Sequence, residues 1–255
     1  LSNQTKQIIL KELVAHRGAS EHAPENTMAA FRLAEQQGAQ WLEFDVSTAG
    51  DATPIILHDS TTDRCSDKQY KINELTMDNL STIDAGSWFA PEFTGERIPL
   101  FKEVLEWLRG NKLRANVEIK RHKVQQDTTE FVQPIVECLL EYQDLWPRLL
   151  VTSFDTKSLE YCLNNIPQIN CGALFDELPD NWLALISQWD VSTIHINYQH
   201  LSKAMLVETR KRNIITRCYT PKKYDDIESY LQLGLSSVIV NSPQNFIQAI
   251  NDQFE

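Results

Sequence analysis

Three carboxylates are spaced so that they converge. In Trp41-Leu42-Glu43-Phe44-Asp45-Val46 the two-residue period of an extended chain puts Glu43 and Asp45 on one face and Leu42, Phe44 and Val46 on the other. Asn116, Glu118 and Lys120 share a face in the same way, with Val117 and Ile119 opposite. Neither face of a packed strand accepts bare anions, because an unpaired carboxylate is costly to desolvate, so a cation must lie near them. An oxygen-rich set without a neighbouring thiolate suits a hard cation, Mg²⁺ or Ca²⁺, better than zinc. The competing reading is ordinary ion pairing, which accounts well for a single strand glutamate and poorly for three inward acids at strand ends.

Two histidines stand beside these acids in the pattern. His16 closes a short apolar run in Ala15-His16-Arg17-Gly18, and His58 follows Ile55-Ile56-Leu57 just before Asp59. A lone histidine at a strand end is usually a satisfied structural residue, but a pair next to a carboxylate cluster is placed for proton transfer at neutral pH. Arg17 and Lys120 bring positive charge to the same place, either to balance the acids or to hold an anionic group such as phosphate. His22 and His195 have less support, and His122 and His200 read as surface residues.

These residues need a scaffold that brings strand ends together. Short apolar, β-rich runs alternate with amphipathic stretches, the pattern of βα units and a parallel sheet. Eight strands are expected: 13–16, 41–46, 115–120, 148–154, 171–175, 193–197, 214–219 and 237–241. Eight parallel strands close into a (β/α)₈ TIM barrel, whose active sites lie at the C-terminal strand ends. Behind Pro24 and Asn26, Thr27, Ala30, Phe31 and Ala34 share one helical face, and Gly38 stands where a C-terminal cap belongs. Residues 59–99 break the rhythm and contain the aromatic cluster Trp88, Phe89 and Phe93. They read as an inserted capping segment with structure of its own inside a single domain spanning 1–255.

Composition agrees with this and removes other classes. A chain of 255 residues, 42% apolar and 23% charged, can bury a sizeable core and suits a single barrel domain. The net charge of −11 has the wrong sign for nucleic acid or anionic lipid. The longest apolar run, Trp182 to Ile186, is far too short to span a membrane. Five cysteines without a CxxC pair read as reduced thiols, and Leu1 to Lys6 lack the apolar core of a signal peptide, so a cytoplasmic location is expected.

Taken together, His16-Arg17-Gly18, Pro24-Glu25-Asn26-Thr27, Glu43-x-Asp45, His58-Asp59 and Glu118-Ile119-Lys120 resemble the signature of the glycerophosphodiester phosphodiesterases. The likeness continues through Asp84-Ala85-Gly86-Ser87-Trp88-Phe89, Ile98-Pro99-Leu100, Ser153-Phe154 and Ile194-His195-Ile196-Asn197, and so covers nearly the whole chain. The compact length resembles the cytoplasmic bacterial members. The resemblance implies a (β/α)₈ barrel with a small insertion and hydrolysis of glycerophosphodiesters to sn-glycerol 3-phosphate and an alcohol, a step of glycerophospholipid degradation. It implies a divalent metal on Glu43, Asp45 and Glu118, His16 and His58 as the general acid–base pair, and Arg17 and Lys120 on the phosphate. By analogy with the related phosphoinositide-cleaving barrels, the attacking hydroxyl is the substrate's own, and water then opens a cyclic phosphate.

The chain departs from the family late. Members commonly carry an aromatic residue in the seventh barrel strand and Thr-Asp after the eighth, where this chain has Arg217 and Cys218, and Asn241-Ser242. Tyr219 supplies the ring only if the register shifts by two residues, and an inward Arg217 would favour an anionic head group. Two other readings remain at this point: a barrel without turnover that binds or scaffolds, and a carboxylate-pair glycosidase. Chelator sensitivity separates the glycosidase from the metal enzyme.

Overall fold

Register explains how distant segments meet at one end of the molecule. The computed structural model describes residues 12–125 and 127–252. Among them run β1 (Glu12–His16), β2 (Trp41–Thr48), β3 (Pro54–Ile56), β4 (Arg114–Ile119), β5 (Leu149–Ser153), β6 (Asn170–Phe175), β7 (Thr193–Asn197), β8 (Ile215–Tyr219) and β9 (Leu235–Val240). All but β3 are parallel and neighbour one another in the order β1-β2-β4-β5-β6-β7-β8-β9, and β9 pairs back onto β1 to close the ring. The expected (β/α)₈ barrel is present, with strand limits shifted by no more than two residues.

The alternation in β2 sorts its side chains as expected. Leu42, Phe44 and Val46 face outward into the main core, where the Phe44 ring lies 5.6 Å from Phe31 and 6.2 Å from Phe101. Phe31 belongs to α1 (Met28–Gln36), whose buried residues are Ala30, Phe31 and Ala34. Thr27 caps that helix by accepting from the Ala30 amide, and Gly38, at φ +82°, follows its C-terminal end. The face of β2 that carries Glu43 and Asp45 therefore turns into the barrel. Cross-strand register then sets His16 beside Glu43 and Asp45 beside Glu118.

β3 is absent from the sequence reading. It folds back antiparallel on β2, pairing Val46 with Ile56, and does not join the closed ring. His58 thus reaches the site on a hairpin return, not from the end of a barrel strand. After it, Ile72, Leu75, Leu80, Ile83, Ala85 and Ile98 form an apolar cluster with Ile55 and Leu57, separate from the main core. The cluster includes the short helix α2 (Met77–Leu80). The other layers around the barrel are α3 (Phe101–Arg109), α4 (Thr128–Glu141), α5 (Thr156–Asn165), α6 (Trp182–Trp189), α7 (Lys203–Lys211), α8 (Glu228–Leu231) and α9 (Pro243–Asp252). No helix among the described residues is long and apolar enough to cross a membrane.

Candidate active site

Glu43, Asp45 and Glu118 meet inside the C-terminal mouth of the barrel. Each offers an oxygen within 4.8 Å of the others, and all three are buried. The β1–α1 loop closes over them in an unusual backbone conformation. Arg17 and Asn26 both adopt left-handed φ angles, 54° and 57°, and Gly18 follows at 82°. A Cβ on Gly18 would lie 2.7 Å from Ala30, so this turn requires glycine twice over, for its dihedral and for its space. In return the Arg17 amide donates to Glu43 Oε2 at 2.9 Å, and the Asn26 side chain donates to Asp45 Oδ2 at 2.9 Å.

Two cations answer three anions. Arg17 Nε lies 3.2 Å from Asp45 Oδ2, while Lys120 Nζ donates to Glu118 Oε1 at 3.0 Å and lies 3.9 Å from Asp45 Oδ1. The surplus shows in the acidities. Burial would raise Asp45, yet Arg17, His58 and Lys120 overcome it and hold that carboxyl at about 2. Burial, together with the Asp45 charge, pushes Glu118 up to about 7 and holds Glu43 well above the carboxylate range. Glu43 Oε1 is buried and accepts from nothing among the described residues. An oxygen without a donor, in an all-oxygen set carrying excess negative charge, fits a hard divalent cation.

The two histidines stand at the edge of this cluster. His16 Nδ1 lies 2.7 Å from Asn241 Oδ1, a pairing in which the ring is the donor, and its Nε2 is 3.9 Å from Glu43 Oε2. His58 Nδ1 lies 2.6 Å from Asp59 Oδ1. Burial, seconded by Arg17, pushes His16 down to about 4, and burial also lowers His58 against the pull of Asp45. Both rings border a cavity of about 230 Å³ that Arg17, Lys120, Phe154 and Tyr219 also line. It is smaller than the roughly 300–1,000 Å³ of drug-sized sites and suits a compact ligand. Larger hollows of about 840 Å³ beside α4 and about 620 Å³ at the opposite barrel end lack any such acid cluster among the described residues.

All seven residues singled out from the sequence are thus brought to one place. A profile of the glycerophosphoryl diester phosphodiesterase family matches residues 16–245, which spans every one of them. The chain belongs to this family. It is a phosphodiesterase, and the glycosidase reading ends here. A phosphodiesterase from Oleispira antarctica, solved in complex with the product sn-glycerol-3-phosphate, superposes with a TM-score of 0.88 at 30% identity, over 95% of this chain and 97% of that one. A glycerophosphodiester phosphodiesterase from Agrobacterium tumefaciens superposes with a TM-score of 0.79 at 25% identity, over 93% and 99% of the two chains. The glycerophosphodiester phosphodiesterase of Caldanaerobacter subterraneus is 28% identical across 93% of this chain and 97% of its own length.

Within the phosphodiesterase some late-chain expectations need correction. Arg217 points inward, but one layer below the cavity: it donates to Glu12 Oε2 at 2.7 Å and stacks 4.1 Å from the Trp41 ring. It therefore lines the hollow at the opposite barrel end and not the cavity. Tyr219 takes the cavity wall instead, edge-on to Phe154 at 6.1 Å, and β8 slips against β9 between Thr216 and Arg217. Ser242 is buried and pairs with His22 at 2.8 Å, outside the cavity. His195 lies in the cavity floor, fully buried, and His122 is half-buried, not at the surface; His200 is exposed as expected. The sequence reading missed Arg64, and it used Glu25, Asn26 and Asp59 only as motif letters. All four bind site residues directly or through one another.

Proposed function

We propose that the protein hydrolyses glycerophosphodiesters to sn-glycerol 3-phosphate and an alcohol, using a divalent cation, Mg²⁺ or Ca²⁺, on Glu43, Asp45 and Glu118. The observation that carries this reading is the buried acid triad with an unsatisfied oxygen between two histidines, in a cavity sized for a small ligand. The product complex of the Oleispira antarctica relative supports it. We read the chain as one barrel domain with residues 59–99 as an inserted cap, acting in the cytoplasm in the breakdown of glycerophospholipids.

When bound, the cation supplies Lewis-acid stabilisation of the negative charge that gathers on the phosphoryl group. The protein's own groups do the rest. Arg17 and Lys120 present positive charge on the same wall of the cavity and orient the phosphodiester. Each histidine uses Nδ1 for its supporting partner, Asn241 or Asp59, which leaves Nε2 for the substrate. One Nε2 removes the proton of the attacking hydroxyl and the other returns a proton to the departing alcohol oxygen. The attacking hydroxyl is that of the glycerol itself, so that a cyclic phosphate forms first and water opens it.

The test is incubation of the purified protein with glycerophosphocholine and glycerophosphoethanolamine in Mg²⁺, Ca²⁺ or EDTA, with release of glycerol 3-phosphate measured. Release that EDTA abolishes and one of the ions restores is expected. Release that persists unchanged in EDTA removes the metal, and no release with either ion removes this substrate class. Phosphorus NMR of the same mixtures should show a transient cyclic ester.

A further inference from the structure

Arg64 lies in the inserted segment and belongs to no apolar pattern, yet its guanidinium is held by three short bonds. Nη1 and Nη2 fork onto the two carboxylate oxygens of Glu25 at 2.7 and 2.8 Å, and Nε donates to Asp59 Oδ2 at 2.6 Å. Both acids have a second client. Glu25 Oε1 accepts from Arg17 Nη1 at 2.7 Å, and Asp59 Oδ1 meets His58 Nδ1 at 2.6 Å. One side chain thus ties together the groups that orient a proposed phosphate contact and a proposed proton-transfer residue.

We propose that Arg64 is a positioning residue for phosphodiester hydrolysis, fixing the His58 ring through Asp59 and the Arg17 guanidinium through Glu25. The inference rests on the catalytic reading above, in which His58 moves a proton and Arg17 holds phosphate. Its side chain is 45% exposed, and an isolated ion pair there would contribute little to stability. Its value is geometric. A planar fork directs Glu25 bidentately while its third donor reaches Asp59, and no ammonium can match both directions at once. Removing it frees Glu25 and Asp59 to rotate, and with them the two groups that must meet the phosphodiester. The inserted segment accordingly completes the site, in addition to covering it.

The experiment compares wild type with Arg64→Ala, Arg64→Lys, Asp59→Asn, Glu25→Gln and His58→Ala on glycerophosphocholine, with kcat, KM and Tm measured for each. Arg64→Ala should lower kcat/KM by about 10²-fold, the scale of a misplaced catalytic group. Asp59→Asn should reproduce mainly the fall in kcat, and Glu25→Gln mainly the rise in KM. Millimolar guanidinium ion should restore part of the activity of Arg64→Ala and none of that of His58→Ala, which a general loss of structure cannot imitate. Arg64→Lys should recover less than the added guanidinium does, and it carries the same comparison if the alanine variant does not fold. Wild-type kcat and KM in Arg64→Ala, or a loss that follows a lowered Tm and ignores guanidinium, overturns the inference while leaving the His58 assignment standing. An active His58→Ala overturns the catalytic reading and this inference with it. Should the wild type show no turnover at all, nitrogen-15 histidine spectra still decide: the His58 ring signal, assigned from its absence in His58→Ala, must change in Arg64→Ala, and an unchanged signal overturns the positioning role.

Discussion

Both ends of the barrel interior bury charge, and they treat it in opposite ways. At the N-terminal end Glu12 pairs with Arg217 at 2.7 Å and with Arg114 at 3.2 Å, and both guanidiniums stack on the Trp41 ring. One carboxylate there serves two guanidiniums, each of which also has an aromatic face, and Arg217 Nε and Nη1 are buried without an acceptor among the described residues. At the C-terminal end three acids share Arg17 and Lys120, one carboxylate oxygen has no donor among the described residues, and Glu43 and Glu118 hold protons more tightly than ordinary carboxyls. The excess is positive at the first end and negative at the second, and crowded buried negative charge is what a cation could answer. This contrast, more than the number of ionisable residues, distinguishes the working end from the structural one.

The comparison is tested most severely by the largest effect. Replacing His16 or His58 by Ala should lower kcat by about 10² to 10⁴-fold while leaving cation affinity, measured by calorimetry, nearly intact; turnover close to wild type removes that histidine from the mechanism. Glu118→Gln should also abolish turnover, but by a different route, because it removes a proposed cation ligand. In EDTA its Tm should rise above that of wild type, since one of three crowded acids is gone. The stabilisation of wild type by cation, about 2.7 kcal/mol at a hundredfold excess over Kd, should vanish in the variant. A lowered Tm in EDTA would mean that Lys120 needs Glu118 more than the acids repel one another.

The opposite sign is expected at the other end. Glu12→Gln removes the carboxylate partner of a nearly fully buried guanidinium, so it should destabilise the protein by about 1–3 kcal/mol. Activity should stay within about twofold, because the side-chain partners of Glu12, Arg114 and Arg217, line the opposite end of the barrel. Chemical denaturation measures the first and the substrate assay the second. A stable, inactive Glu12→Gln would dissolve the division between floor and site.

How much of this was legible beforehand follows from the range of the forces involved. Strand period is local, so the inward turn of Glu43, Asp45 and Glu118 and the outward turn of Phe44 could be read from six-residue windows. Barrel closure follows from counting βα units. Arg64 could not be found that way: its partners Glu25 and Asp59 belong to different loops, and only the folded insertion brings it across. Asn241 is likewise 225 residues from His16, and nothing local marks it as that ring's support. β3 was hidden because three residues give too short a run for alternation to show. Arg217 and Tyr219 lie two residues apart on β8 and so share its inward face; the later one stands nearer the C-terminal mouth and reaches the cavity, a difference of height along the barrel that strand period alone does not give.

The smallest expected effect lies between the two ends. His195 is fully buried on β7, opposite Arg217 in register, and its ring nitrogens have no hydrogen-bond partner among the described residues. Burial first, then the Arg217 charge, lowers its pKa well below 6.5, so the folded protein holds it neutral. In the unfolded chain the same ring takes up a proton as pH falls below 6.5. The unfolded state therefore binds more protons on the acid side, and stability present above pH 6.5 is lost as pH falls, by at most about 1.4 kcal/mol per pH unit for this group. His16, His58 and His122 have lowered pKa values too and contribute in the same direction, while the raised Glu43 and Glu118 contribute in the opposite one. Against that common background His195→Gln should make the slope of unfolding free energy between pH 6.5 and 5 less positive by up to one proton's worth, measured in EDTA so that cation binding adds no pH dependence of its own. An unchanged slope would mean that His195 is protonated in the fold, which would make the middle of the barrel part of the charge system of one end or the other instead of the neutral layer that keeps them apart.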